Sequence, residues 1–182
     1  MYIPLLVIHN ILCYTLILSR GRSRPSNESG LRDRNGKGKG RGQMSHYIHK
    51  VQYYETDQMQ IAHHSNYIRW FEEARTFFLE TAGFGYDKME AVGILCPVTE
   101  VQCRYVNMVR FPDEVLIHTI IQEFSGVRMT VGYSILNART GDLCAEGFSR
   151  HCFLGKSGKP VALQKENPSL FRLLSEKTEK PC

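Results

Sequence analysis

SNYIRWFEEARTFFLETAG, residues 65–83, is the stretch on which the fold turns. Tyr67, Trp70, Phe71, Ala74, Phe77, Phe78 and Ala82 recur at spacings of three and four, the period of an α-helix, and Gly83 supplies a stop. Ser65 or Asn66 can cap its start. Apolar residues on most of the circumference mean that the helix needs cover on several sides. Downstream, a short polar helical segment is predicted around residues 87–91. Four β-like runs follow over residues 96–106, 114–124, 129–138 and 143–154, separated by turn signals at Phe111-Pro112-Asp113, Ser125-Gly126 and Thr140-Gly141-Asp142. Upstream, residues 47–54 alternate and are rich in Tyr, Ile and Val, which suits a strand, and the polar stretch 55–60 interrupts it. Residues 168–177 suit a short amphipathic helix. The pattern predicts an α+β domain in which a mostly antiparallel sheet of about five strands, the last four as a meander, wraps one central helix.

The chain has 182 residues, 42% hydrophobic and 23% charged, enough for one domain with a real core and unlike a disordered or polytopic membrane protein. Its net charge of +5 is unevenly placed. Residues 1–43 hold eight basic residues against two acidic ones, and residues 44–182 hold 15 basic against 16 acidic. The near-neutral body has no phosphate-binding footprint, so no nucleic-acid partner is expected for it. The six cysteines show neither a C-x-x-C pair nor zinc-finger spacing, so no metal is expected. Four lie in strand-like runs, where a reduced cysteine acts as a small hydrophobe, and this predicts a reducing, cytoplasmic setting.

Residues 1–43 form an appendage to the predicted domain of residues 44–182. Residues 1–18 are apolar but include Pro4, His9 and Asn10, and as a helix would span about 27 Å of a hydrocarbon core of about 30 Å. The arginines follow the apolar stretch instead of preceding it, which disfavours a secretory signal. Residues 19–43, with six glycines, read as a flexible linker. Two accounts stand: a single anchoring helix, or upstream sequence included by a wrong start codon, with Met44 opening the domain. A membrane partner is expected only if residues 1–43 are translated and insert.

The segment from Tyr54 through Glu55-Thr56-Asp57-Gln58-Met59-Gln60-Ile61-Ala62-His63-His64-Ser65-Asn66 to Tyr67, followed by Glu72-Glu73-Ala74-Arg75, resembles the signature of hotdog-fold thioesterases. It is most similar to the 4-hydroxybenzoyl-CoA thioesterase family and its YbgC-like acyl-CoA thioesterase branch. Tyr105 and the stretch Arg110-Phe111-Pro112-Asp113-Glu114-Val115 resemble the family's turn into its central strands. The likeness covers about residues 46–165. One position departs: the family has glycine three residues after the aspartate, and this chain has Gln60, where glycine would permit a positive φ.

The resemblance implies hydrolysis of an acyl-CoA, or a related acyl thioester, to free acid and thiol, without metal or redox cofactor. Such chemistry needs a base or nucleophile near the carbonyl carbon and donors aimed at its oxygen. Asp57 matches the family's catalytic carboxylate, and the sequence leaves open whether it activates water or attacks directly. The backbone N–H of His64, at the helix N-terminus, matches the group that polarises the carbonyl, and its imidazole could orient the thioester or move a proton. Asn66 and Tyr67 are further substrate-binding candidates, and Arg110 and Arg128 are candidates for the phosphates of coenzyme A. Without the motif, Asp57 would read as a loop or capping acid. His63 and His64 point in different directions and lack a third ligand. Glu72 reads as a structural acid paired with Arg75 or Arg69. The family also implies a homodimer or homotetramer joined through edge strands. The alternatives are a non-catalytic acyl-thioester binding module and, less favoured, a hotdog dehydratase.

Overall fold

The structure is a computed structural model and describes residues 46–178. The expectations for residues 1–43 and for a start at Met44 lie outside the described residues. The elements are β1 (His46–Lys50), α1 (His64–Thr81), α2 (Tyr86–Ala91), β2 (Val98–Tyr105), β3 (Glu114–Phe124), β4 (Arg128–Asn137), β5 (Leu143–Cys152), α3 (Leu163–Glu166) and α4 (Pro168–Lys177). All five strands form one antiparallel sheet in the order β1-β3-β4-β5-β2. The α+β architecture, with one long helix against an antiparallel sheet, matches the sequence expectation. Among the described residues no helix is long and apolar enough to cross a membrane.

The meander holds only for β3, β4 and β5. β2 does not lie beside β3; it pairs with β5 at the far edge. Residues 106–113 carry the chain back over the end of the sheet, three strand spacings of about 4.8 Å. The strand before the helix and the strand after it therefore take opposite edges.

β1 is also shorter than its alternation suggests. The chain leaves the ladder after Lys50 and makes a 3-10 turn over Tyr53–Glu55. That turn brings the Gln52 N–H to the Glu55 carboxylate at 2.7 Å. The start of α1 differs in a similar way. His63, not Ser65 or Asn66, is the N-cap, and its Nδ1 lies 2.8 Å from the Ser65 hydroxyl. Asn66 is instead buried, donating its amide to the Glu55 carbonyl at 2.8 Å.

Strand alternation sorts the residues of the sheet. Val115, Ile117, Thr119 and Ile121 of β3 and Val131, Tyr133 and Ile135 of β4 are all buried, on the face that packs against α1. From α1, Trp70, Phe71 and Ala74 fill that core, and Phe71 stacks on Tyr133 with ring centroids 4.2 Å apart. Burying each such side chain contributes about 1.5–3 kcal/mol. The helix can lie this close because β5 carries Gly147: a Cβ there would meet the Gln102 carbonyl of β2 and stand 3.0 Å from Phe71.

Candidate functional site

Asp57 stands at the first corner of a hairpin that ends where α1 begins. Thr56 and Ala62 form a bridge, Gln60 N–H donates to Asp57 O at 2.9 Å, and Asp57 N–H donates to Ile61 O at 3.0 Å. This is a three-residue loop built on a turn followed by one left-handed residue. Gln60 is that residue, with φ of 61°, and no other described non-glycine residue has a positive φ. Glutamine therefore adopts the conformation for which glycine is suited, at a cost of about 1–2 kcal/mol. The Met59 N–H donates to Asp57 Oδ1 at 2.8 Å and fixes the carboxylate's rotation.

Beneath the hairpin lies Glu55, an acid that the sequence alone marks only as part of a polar stretch. It is 5% exposed. Its Oε2 accepts from Gln52 N–H at 2.7 Å and from His49 Nε2 at 2.9 Å, and its Oε1 accepts from the Trp70 indole at 2.8 Å. Its carbonyl takes the His63 N–H, at 2.8 Å, and the Asn66 amide. Burial alone would raise the pKa of this carboxyl, but the hydrogen bonds from Gln52, His49 and Trp70, with the charge on His49, outweigh it and hold the group below its usual range. Glu55 thus ties β1, the hairpin and the start of α1 into one unit.

The first turn of α1 lies at the other end of the hairpin. His64 is exposed, and its N–H has no acceptor among the described residues. The helix dipole makes this end partially positive. The rings of His63 and His64 approach to 4.1 Å between centroids. From β2, the Tyr105 hydroxyl donates to His64 O at 3.0 Å, and its ring meets Tyr67 edge-on at 5.0 Å. Burial pushes the Tyr105 hydroxyl pKa up, so it remains a donor at neutral pH. Neighbouring Cys103, also pushed up by burial, to about 11, is a thiol rather than a thiolate nucleophile.

The sequence candidates divide accordingly. Asp57 and His64 lie at the two ends of one short hairpin. Asn66 and Tyr67 follow directly but are 8% and 4% exposed, with the Asn66 amide bonded to backbone. Arg110 reaches the hairpin, its Nη1 donating to Gln60 O at 3.3 Å. Arg128 begins β4 at the opposite end of the sheet, a strand length from the Val115 and Asn137 pair that lies near the hairpin. Among the described residues no group of three or more His, Cys, Asp or Glu is placed to hold a metal.

Arg75 does not pair with Glu72. It is 6% exposed and turns into the core, donating from Nε to the Tyr86 hydroxyl at 2.6 Å and from Nη1 to the Tyr133 hydroxyl at 3.0 Å and to Ser149 Oγ at 3.4 Å. Ser149 in turn lies 2.7 Å from His151 Nε2. Glu72 lines an open groove of 520 Å³ on the outer side of α1 with Tyr47, Glu73, Phe77 and Glu80. Neither Asp57 nor His64 borders that groove.

A family model described as the thioesterase-like superfamily matches residues 51–171. The "Putative acyl-CoA thioesterase YneP" of Bacillus subtilis is 36% identical over 120 residues, 65% of this chain and 86% of that protein. A "Putative esterase" of Aquifex aeolicus is 38% identical over 120 residues, 66% of this chain and 91% of its own. Among solved structures, a DHNA-CoA thioesterase from Staphylococcus aureus superposes with a TM-score of 0.69 at 31% identity, covering 72% of this chain and 89% of that one.

Proposed function

We propose, for a chain that belongs to the thioesterase-like superfamily and has its hotdog fold, that it hydrolyses the thioester of an acyl-CoA, or of a closely related acyl carrier, to the free acid and thiol. The observation that carries this reading is the single hairpin joining Asp57 to the His64 N–H at the start of α1. The thioester carbonyl lies against the His64 N–H, which stabilises the charge that develops on its oxygen. Asp57 either removes a proton from the attacking water or attacks the carbonyl carbon itself. In the first route the thiolate of coenzyme A leaves as the tetrahedral adduct collapses. In the second, the C–S bond breaks and the thiolate leaves as a mixed anhydride forms on Asp57, and water then hydrolyses that anhydride to the free acid and the Asp57 carboxylate. The family assignment extends in this proposal to the YbgC-like branch, whose pattern has a histidine seven positions after the aspartate, as His64 stands here.

The assembly proposed is a homodimer through β2. That strand pairs only with β5 among the described residues, and its free edge carries Val98, Val101 and Tyr105, each more than 40% exposed. An open strand edge of this length, with three large apolar side chains exposed along it, calls for a partner strand.

Purified protein incubated with a panel of short, long and aromatic acyl-CoAs should release free thiol. Asp57→Asn, which keeps an oxygen for the Met59 N–H, should lower kcat by about 10²–10⁴-fold with the oligomer intact. Equal inactivity of both proteins across the panel would instead favour the non-catalytic binding module.

A further inference from the structure

We propose that Arg110 is a positioning residue for Asp57, its guanidinium holding the left-handed Gln60 peptide in the conformation that glycine would hold unaided. The inference rests on the reading of Asp57 as the group that acts on the thioester. Gln60 N–H closes onto Asp57 O and Asp57 N–H onto Ile61 O, so the backbone at Gln60 is part of the bend that aims the carboxylate. The Met59 N–H on Asp57 Oδ1 belongs to the same loop, and a relaxation at Gln60 reaches the carboxylate within one residue. A glutamine at φ of 61° relaxes toward negative φ unless a neighbour opposes it.

Arg110 is that neighbour. Its Nη1 donates to Gln60 O at 3.3 Å, so turning the Gln60 peptide breaks a charge-assisted bond. The turn that carries Arg110 is itself held fast. Arg110 N–H donates to Asp113 Oδ2 at 2.9 Å, Asp113 N–H returns to Arg110 O at 2.8 Å, and Ala62 N–H donates to Val109 O at 2.8 Å. Phe111 meets Tyr53 edge-on at 5.7 Å. The guanidinium is thus a strut between an anchored turn and a loop residue that would otherwise move.

The test compares Arg110→Ala, Arg110→Lys, Gln60→Gly and the Arg110→Ala/Gln60→Gly double variant with wild type, by thiol release from an acyl-CoA and by amide exchange at Met59 and Gln60. With Gln60 present, Arg110→Ala should lower kcat about tenfold and leave KM within about twofold, while Arg110→Lys keeps about half of kcat. In the Gln60→Gly background the same Arg110→Ala change should lower kcat by less than about twofold. Amide exchange should quicken about tenfold in Arg110→Ala and return to its Gln60→Gly level in the double variant. A raised KM with kcat intact, not suppressed by Gln60→Gly, would assign Arg110 to the substrate's phosphates and overturn the proposal, as would unaltered exchange in Arg110→Ala. Exchange is read whether or not the protein turns over, so a wild type inactive across the panel would sink the thioesterase reading while exchange alone still decided the Arg110 and Gln60 coupling.

Discussion

Trp70 donates its indole N–H to Glu55 Oε1 at 2.8 Å, a bond between residues that are 0% and 5% exposed and stand on separate elements. The carboxylate's other oxygen is taken by Gln52 and His49, so Trp70 is the one donor to Oε1 among the described residues. Trp70→Phe leaves Oε1 buried without a donor and should destabilise the protein by about 2–4 kcal/mol. In chemical denaturation the Trp70→Phe and Glu55→Ala effects should be less than additive, because each removes the same bond.

Glu55 also sets an acid limit. Its folded-state carboxyl ionises below the ordinary value of 4.5, so the stabilisation is complete above that value and is lost as pH falls through the lower folded value. Wild type and Glu55→Gln should therefore differ most at neutral pH and converge in the acid range. Urea midpoints from pH 7 to pH 2 measure this.

His151 acts at higher pH. Burial, and then the nearby Arg75 charge, lower its pKa from 6.5 to about 4. Protonation thus favours the unfolded chain, and the contribution of neutral His151 is full above pH 6.5 and drains as pH falls toward 4. His151→Gln should flatten the stability curve between these limits, by up to about 1.4 kcal/mol per pH unit.

Arg75 is a buried cation whose partners are hydroxyl groups. Arg75→Ala would leave the Tyr86 hydroxyl without its partner beside a cavity, while Tyr133 and Ser149 keep each other at 2.7 Å, and should cost about 2–5 kcal/mol. Arg75→Met, which refills the space, should cost less. Thermal melts of the two variants order these effects.

Gly147 is where helix, β5 and β2 come closest. Because an added methyl meets both the Gln102 carbonyl and Phe71, Gly147→Ala should destabilise by about 2–3 kcal/mol. It should also weaken the β2 edge and shift the oligomer toward monomer in size-exclusion chromatography with light scattering.

Much of this was legible in the sequence because the signals were local. The bounds of β3 and α4 coincide with the predicted runs at Glu114–Phe124 and Pro168–Lys177, where alternation or a proline start is bounded by turn chemistry. The placement of β2 beside β5 was not legible, because pairing across the sheet is decided by how strands cover the helix, not by the turn that follows β2. Gln60 shows a similar limit. The family resemblance marks position 60 as one that suits glycine, yet only the fold brings the guanidinium of an arginine fifty residues on to the Gln60 carbonyl. Arg75 beside Glu72 and Arg69 reads as a surface ion pair, but the helix turns it inward, toward hydroxyls supplied by α2, β4 and β5.

The strand order has a consequence for how the chain must be made. β2 leaves the ribosome well before β5, its one neighbour in the sheet among the described residues, and α1 is complete before any strand that covers it except β1. Until residues 143–152 emerge, β2 has both edges unpaired, and until β3 and β4 emerge the apolar side of the helix is covered by β1 alone. Closure then depends on contacts between distant parts of the chain, which favours slow, concerted folding late in synthesis. A nascent chain stalled between Tyr105 and Leu143 would be the form most prone to aggregate.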